Sequence, residues 1–299
     1  MFFISPQFSL FFGEKNRKPP TPQCIANNKR KITYCGRSVT KYVLEEHPEL
    51  REKKLITISP GGFKGFYMLG VTAYIKAHYD LSPNKYIFSG SSAGAWNALV
   101  LSYKGDGAHL FKSIYDIVRE INVDFKSGSI HAMQKRLRTM ILENFRDEDF
   151  AFDNLFIGIT HLDFFMPRTT IYTGFESLRD AVDCCMASSH IPIVTGGVVN
   201  RYRGLNAFDG GFSKYPYLNL IPPMLEITPD IWTSAPPPSP PLRCNAQRHC
   251  SLPRIEDITT LFSKHIYDLV ELFELGFIET FENSAQLHKN FSAGSRSSS

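Results

Sequence analysis

One serine in this chain sits where a nucleophile would need to be. The segment Gly90-Ser91-Ser92-Ala93-Gly94 follows a short apolar run, Tyr86 to Phe88, and precedes the apolar stretch Ala93 to Leu101. A strand that turns sharply into a helix needs small residues on both sides of the turning residue, and that turn lifts the serine hydroxyl clear of the sheet. The first amides of the following helix have no intrahelical acceptor and face any negative charge that develops nearby. A Gly/Ser-rich turn without chemistry has the same letters, so the strand and helix on either side give the motif its weight.

A second glycine-rich turn, Pro60-Gly61-Gly62-Phe63-Lys64-Gly65, also lies between an apolar run (Leu55 to Ile58) and a helical pattern (Phe66 to Ala77). Such a turn can cradle phosphate, but Lys64 is not followed by the Ser or Thr of a P-loop. It can equally form an oxyanion hole from the amides of Gly61, Gly62 and Phe63. Lys64 reads either as a phosphate contact or as a solvated residue at a helix start. A third segment, Phe208-Asp209-Gly210-Gly211, is weak by itself, because most Asp-Gly pairs are hairpin turns.

The elements that must hold these segments read as strand, turn, helix, strand, turn, helix, the pattern of parallel α/β architecture. Further helices are predicted over His109 to Ile121, Ile130 to Leu142 and Ser177 to Ser188, with strands over Leu155 to Thr160 and Thr169 to Tyr172. Ten of the 19 prolines fall between Pro216 and Pro253, which excludes a regular helix or central strand there. The stretch near 229–254 is therefore an expected excursion from the core. Ile258, Leu261, Phe262, Ile266, Leu269 and Phe273 predict one face of a long C-terminal helix, with Asp268, Glu271 and Glu274 on the other. The organisation expected is a basic tail over 1–50, a catalytic domain over 51–290 and a loose end over 291–299.

The three glycine-bearing segments, in this order, resemble the patatin-like phospholipases, over roughly Leu55 to Leu220. That family has a glycine-rich oxyanion loop ending in Arg/Lys-Gly, a G-x-S-x-G elbow and a D-G-G or D-G-A motif. A fourth segment, Ala187-Ser188-Ser189-His190-Ile191-Pro192, is similar to its Ala-Ser-x-x-x-Pro segment, and Cys185 through Tyr215 looks most like the lipid-droplet lipase and adiponutrin-type members. The resemblance implies a three-layer α/β/α sandwich with a mostly parallel central sheet. It implies a dyad of Ser92 as nucleophile and Asp209 as general base, with Lys64, Gly65, Gly90, Gly94, Gly210 and Gly211 supporting the motifs. It also implies acyl esters of lipids as substrates and no metal or other cofactor. Pro60 stands where the family usually has a first glycine, and it has no amide hydrogen to donate.

Two rival readings remain open from sequence. An α/β-hydrolase triad would draw a histidine from after Asp209, where His249 and His265 stand. A catalytically weak lipid-binding regulator could occupy the same fold. Phe63, Phe66 and Trp96 read either as the lining of an acyl groove or as core, and His190 as packing. Cys244, His249 and Cys250 lack the fourth partner of a closed zinc site.

Composition bounds these readings. The chain has 299 residues, of which 43% are hydrophobic and 21% charged, a globular balance. The net charge of +4 gives no ground for a nucleic-acid partner. No apolar run approaches the roughly 20 residues of a spanning helix. The start has neither the basic residues nor the small-residue cleavage site of a secretory signal. Six cysteines make no disulfide scaffold, and Cys184 and Cys185 read as small buried side chains. The expected location is cytoplasmic with peripheral attachment to a lipid surface.

Lys15 to Lys41 contains eight Lys or Arg and no acid, a mobile basic tail or one drawn to anionic lipid. If membranes attract it, deleting residues 1–41 weakens binding to anionic vesicles more than to neutral ones. Salt should erase the difference, since exposed charges are screened over about 8 Å at physiological ionic strength. Co-sedimentation of full-length and truncated protein with the two vesicle types measures this.

Overall fold

The computed structural model describes residues 33–35, 48–163, 166–213, 216–218, 222–232 and 267–292. The proline-rich run, His249, His265, the Cys244–Cys250 cluster and most of the basic tail lie outside the described residues.

The strands are β1 (Thr33–Cys35), β2 (Lys54–Ile58), β3 (Tyr86–Ser91), β4 (Leu155–Asp163), β5 (Met166–Tyr172), β6 (Asn200–Tyr202), β7 (Leu205–Ala207) and β8 (Leu225–Ile227). Six form one sheet in the order β1-β5-β4-β3-β2-β8, and β6 pairs with β7 in a separate hairpin. The centre of the sheet is parallel: β3 lies between β2 and β4, with Ile58 opposite Gly90 and Gly90 opposite Ile157. β8 extends it in parallel beyond β2. β5 and β1 close the other edge antiparallel. The helices are α1 (Gly65–His78), α2 (Ala93–Leu101), α3 (Gly107–Ser127), α4 (Ile130–Asn144), α5 (Leu178–Ser188), α6 (Leu269–Glu282) and α7 (Ser284–Ser292).

The apolar runs Leu55–Ile58 and Tyr86–Phe88 are continuous rather than alternating because a parallel sheet is buried on both faces. Side-chain parity sorts them. Ile56, Ile58, Tyr86, Phe88, Leu155, Ile157, Ile159 and Tyr172 point into the main core with the helices. Leu55, Ile87, Phe156 and Ile171 point to the opposite face, covered by Leu50 of the short helical turn Pro48–Glu52 and by Leu218. The described layers run helical turn and coil, sheet, helices, consistent with the expected α/β/α arrangement.

Each expected helix and strand of the 55–188 stretch is present, with shifted ends. β3 runs on through Gly90 to Ser91, into the elbow itself. Helices α3, α4 and α5 start at side-chain caps: Asp106 accepts from the His109 amide, Ser129 from Ala132 and Ser177 from Asp180. Each satisfies a backbone donor that the helix cannot.

The C-terminal helix requires a correction. Asp268 is not part of an acidic helix face: it caps α6, accepting from the Val270 and Glu271 amides. Lys126 and Asn122 also donate to its carboxylate. A cap carboxylate meets two orphan donors and the positive end of the helix, which a mid-helix position would not offer. Expected residues Ile258 to Ile266 lie outside the described residues, and the helix extends well past Phe273.

Helix α6 lies tightly along α1. A Cβ at Gly70 would press on the Phe273 carbonyl, and one at Gly276 on the Tyr67 carbonyl. The two glycines allow this approach from both sides. Gly70→Ala is therefore expected to lower the unfolding free energy by about 1–3 kcal/mol, the usual cost of overpacking. Gly197, with open space around it, serves as control: Gly197→Ala should be neutral or slightly stabilising. Denaturant titration of both variants measures the contrast.

Candidate active site

Ser92 is the residue on which strand β3 becomes helix α2. Its backbone stands at φ 55, ψ −127, a strained conformation for a residue with a side chain. The tightness of the turn explains the glycines around it. A Cβ at Gly90 would strike the Gly94 carbonyl, and one at Gly94 would strike the Ile58 carbonyl at the end of β2. Hydrogen bonds hold the strained backbone in place. The Ser92 amide donates to Ser188 Oγ at 2.7 Å, and Ser188 Oγ donates to the Gly158 carbonyl at 2.6 Å. Ser188, at the end of α5, thus ties the elbow to β4.

Asp209 reaches the same point from beside β4. Phe208 forms a two-way backbone bridge with Thr160 of β4, which sets Asp209 at that strand. The Asp209 amide donates to the His190 carbonyl at 2.7 Å. Its carboxylate accepts from Ser92 Oγ at 2.6 Å through Oδ2 and from the Gly211 amide at 2.7 Å through Oδ1. Both Ser92 and Asp209 are only 6% exposed.

Burial lifts the Asp209 carboxyl to about 6, against the opposing pull of the Ser92 and Gly211 hydrogen bonds. Desolvation disfavours the charged form, and donors to it recover part of the loss. A carboxylate of that basicity, bonded to a hydroxyl, is chemically able to accept its proton near neutral pH.

The glycine-rich turn joins this pair. It leaves β2 at Ser59 and winds through a short helical turn, Gly62–Lys64, before α1. Gly61 and Gly62 take φ −157 and φ +52. The amides of Gly61, Gly62 and Phe63 open this turn, where donors lack a local acceptor. Pro60 lies against the Asp-Gly-Gly turn, since a Cβ at Gly211 would sit 3.2 Å from the Pro60 Cβ. The proline removes one donor and packs beside the carboxylate turn.

Gly62, Phe63, Ser92 and Asp209 share the lining of an apolar cavity of about 140 Å³. Phe66, Trp96, Leu110, Ile117, Met133 and Ile141, from α1 to α4, continue its wall. Phe63, Phe66 and Trp96 thus belong to the cavity wall, and the amphipathic faces of α3 and α4 supply most of the rest. Trp96 is fixed by its indole N–H, which donates to Ser189 Oγ at 2.9 Å.

The remaining candidates fall outside this cluster. Lys64 pairs with Asp230 at 3.7 Å with both side chains open to water, where an ion pair stabilises little. Cys184 and Cys185 are buried free thiols. His190 is buried, and its carbonyl, not its ring, meets Asp209. Among the described residues, no histidine ring hydrogen-bonds to the side chain of Ser92 or Asp209. Also among them, no three acids, histidines or cysteines are gathered as a metal site. Sequence reasoning assigned no part to Ser188, Ser189 or Thr160. The first two lie in the Ala187–Pro192 segment, the signal that could have found them.

A comparison with protein-family models matches residues 56–221 to patatin-like phospholipase. No curated protein and no solved structure gave a significant match. The matched stretch covers more than half of the chain and contains the glycine-rich turn, the serine elbow and the Asp-Gly-Gly turn. The chain belongs to the patatin-like phospholipase family.

Proposed function

We propose that the protein is a serine lipid acyl hydrolase that cleaves acyl esters of phospholipids or acylglycerols with a Ser92–Asp209 dyad. The observation that carries this reading is the 2.6 Å hydrogen bond between the two side chains at the wall of an apolar cavity. Family membership supports lipid ester hydrolysis in general. The dyad, the oxyanion hole and the substrate class are our assignments.

In this reading Ser92 Oγ attacks the acyl carbonyl carbon while its proton passes to Asp209. The Gly61, Gly62 and Phe63 amides hold the resulting oxyanion. Collapse breaks the ester C–O bond, and Asp209 returns the proton to the departing alcohol. Water then attacks the acyl-enzyme, giving a proton to Asp209, and Asp209 passes that proton to Ser92 Oγ as the bond from Oγ to the acyl carbon breaks and the fatty acid is released. The acyl chain lies along the cavity wall of α1 to α4, where it is removed from water. Neither half-reaction needs a metal, so a chelator should leave the rate unchanged.

Hydrolysis of phosphatidylcholine and of triacylglycerol is the direct test. Ser92→Ala should lose on the order of 10³-fold or more in turnover without unfolding. Asp209→Asn should lose about 10²–10⁴-fold, the worth of a general base. His249→Ala and His265→Ala should each stay within a few-fold of wild type. If either histidine variant is well folded and inactive, a triad replaces the dyad. Activity retained by a folded Ser92→Ala variant ends the hydrolase reading.

The pH dependence follows from the same carboxyl. The base must be ionised, so kcat/KM should fall about tenfold per pH unit below the Asp209 value of about 6. Its effect on stability has the opposite sign. A carboxyl whose pKa is higher folded than unfolded stabilises the protein fully below about 4, and that contribution is lost as pH rises through about 6. Asp209→Asn should therefore raise Tm relative to wild type at pH 8 and much less at pH 4, read by calorimetry at the two pH values.

A further inference from the structure

The segment that follows the serine pair on α5 has an unusual surface. Ile193 is 82% exposed, Val198 52% and Val199 40%. Ile193 also stands at φ 70. A β-branched residue in that region is a genuine outlier, and here the strain holds an aliphatic side chain out in water. An observed outlier of this kind points to function.

The loop is built rather than loose. Thr195 Oγ1 donates to the Ile191 carbonyl at 3.1 Å and accepts from the Ile191 amide at 2.9 Å. The Ile193 amide donates to the Gly197 carbonyl at 3.3 Å. From α4, His131 Nδ1 donates to the Thr195 carbonyl at 2.6 Å. The knuckle is thus fixed with its aliphatic side chains outward.

Its place in the fold identifies what it meets. Ile191 and Thr195 line the cavity that holds Ser92 and Asp209, and the His190 carbonyl holds the Asp209 amide. The exposed aliphatics therefore belong to the segment that lines the cavity of the catalytic pair. From Ser189 to Phe208 there is no Asp or Glu, and Arg201 is exposed at the base of the loop. A surface with uncharged aliphatics at the tip and a cation behind them fits a bilayer interface: acyl chains at the tip, phosphate at the base.

We propose that the Ile193–Val199 loop inserts into a phospholipid bilayer and seats the mouth of the cavity on the membrane. The inference rests on the hydrolase reading for why the mouth should meet lipid. Its mechanism is apolar, unlike any attraction of the basic tail, and the two separate in the assay.

The test uses the full chain and neutral phosphatidylcholine vesicles at high salt, where charge attraction is suppressed. Ile193→Asn suits the left-handed backbone and should fold at least as well as wild type. It should weaken vesicle binding about tenfold, and Ile193→Asn/Val198→Asn more. Both should keep wild-type hydrolysis of a water-soluble short-chain ester while losing hydrolysis of vesicle phospholipid. Ile193→Trp should bind at least as tightly as wild type, with a blue-shifted emission component on adding vesicles. Wild-type affinity in the double variant overturns the proposal. So does loss of self-association instead of vesicle binding, which would make the loop an interface between copies. If the wild type cleaves neither ester, the hydrolase reading fails, and vesicle binding still decides the loop.

Discussion

The structure turns on one hydrogen bond, from a strained serine to a buried carboxylate. Neither partner is comfortable alone. Ser92 holds a backbone conformation that side chains avoid, and Asp209 is a carboxyl removed from water. Such strain persists only where the surroundings over-determine it. Here the surroundings are identifiable: β3 running into the turn, Gly94 against the end of β2, Ser188 tying the elbow to β4, and the Thr160–Phe208 bridge setting Asp209 at the same strand. The parallel sheet supplies the geometry because its strand ends lie side by side, so the β2 and β3 turns open at one edge.

The same burial that strains the carboxyl makes it useful. An ordinary carboxylate is a poor acceptor for an alcohol proton. Desolvation lifts Asp209 towards neutrality, while the Ser92 and Gly211 donors keep it from rising further. The apolar wall from α1 to α4 contributes twice in the proposed reaction: it keeps water from the pair and offers an alkyl chain an apolar surface. The proposed site and substrate class rest on one property, an apolar cavity with the Ser92–Asp209 couple at its wall.

Much of this was legible in the sequence, for physical reasons. The glycines around Ser92 are demanded by close backbone approach, and those of the Pro60–Gly65 turn by the positive φ of Gly62 and by the Met68 and Ala93 side chains packed against Gly61 and Gly65, so the motif spacing located them. The buried strands announced themselves as continuous apolar runs. The place of Asp209 beside Ser92 was not readable from its own neighbourhood, because Asp-Gly-Gly is usually a turn, and only the order of motifs singled it out. Ser188 was invisible as an elbow support, since its two hydrogen bonds reach residues 96 and 30 positions away. Asp268 misled because periodicity cannot distinguish a helix cap from a polar face. The exposed aliphatics of the Ile193–Val199 loop read as ordinary chain until their burial and the φ of Ile193 were known.

The central claim is that Ser92 becomes acylated with Asp209 as its base. Intact-protein mass spectrometry after treatment with a long-chain fluorophosphonate, followed by peptide mapping, tests it most directly. One adduct on the Ser92 peptide is expected. Its rate of formation should fall below pH 6, and it should form far more slowly on folded Asp209→Asn protein. An adduct on another residue, or labelling of Asp209→Asn at the wild-type rate, would contradict the account.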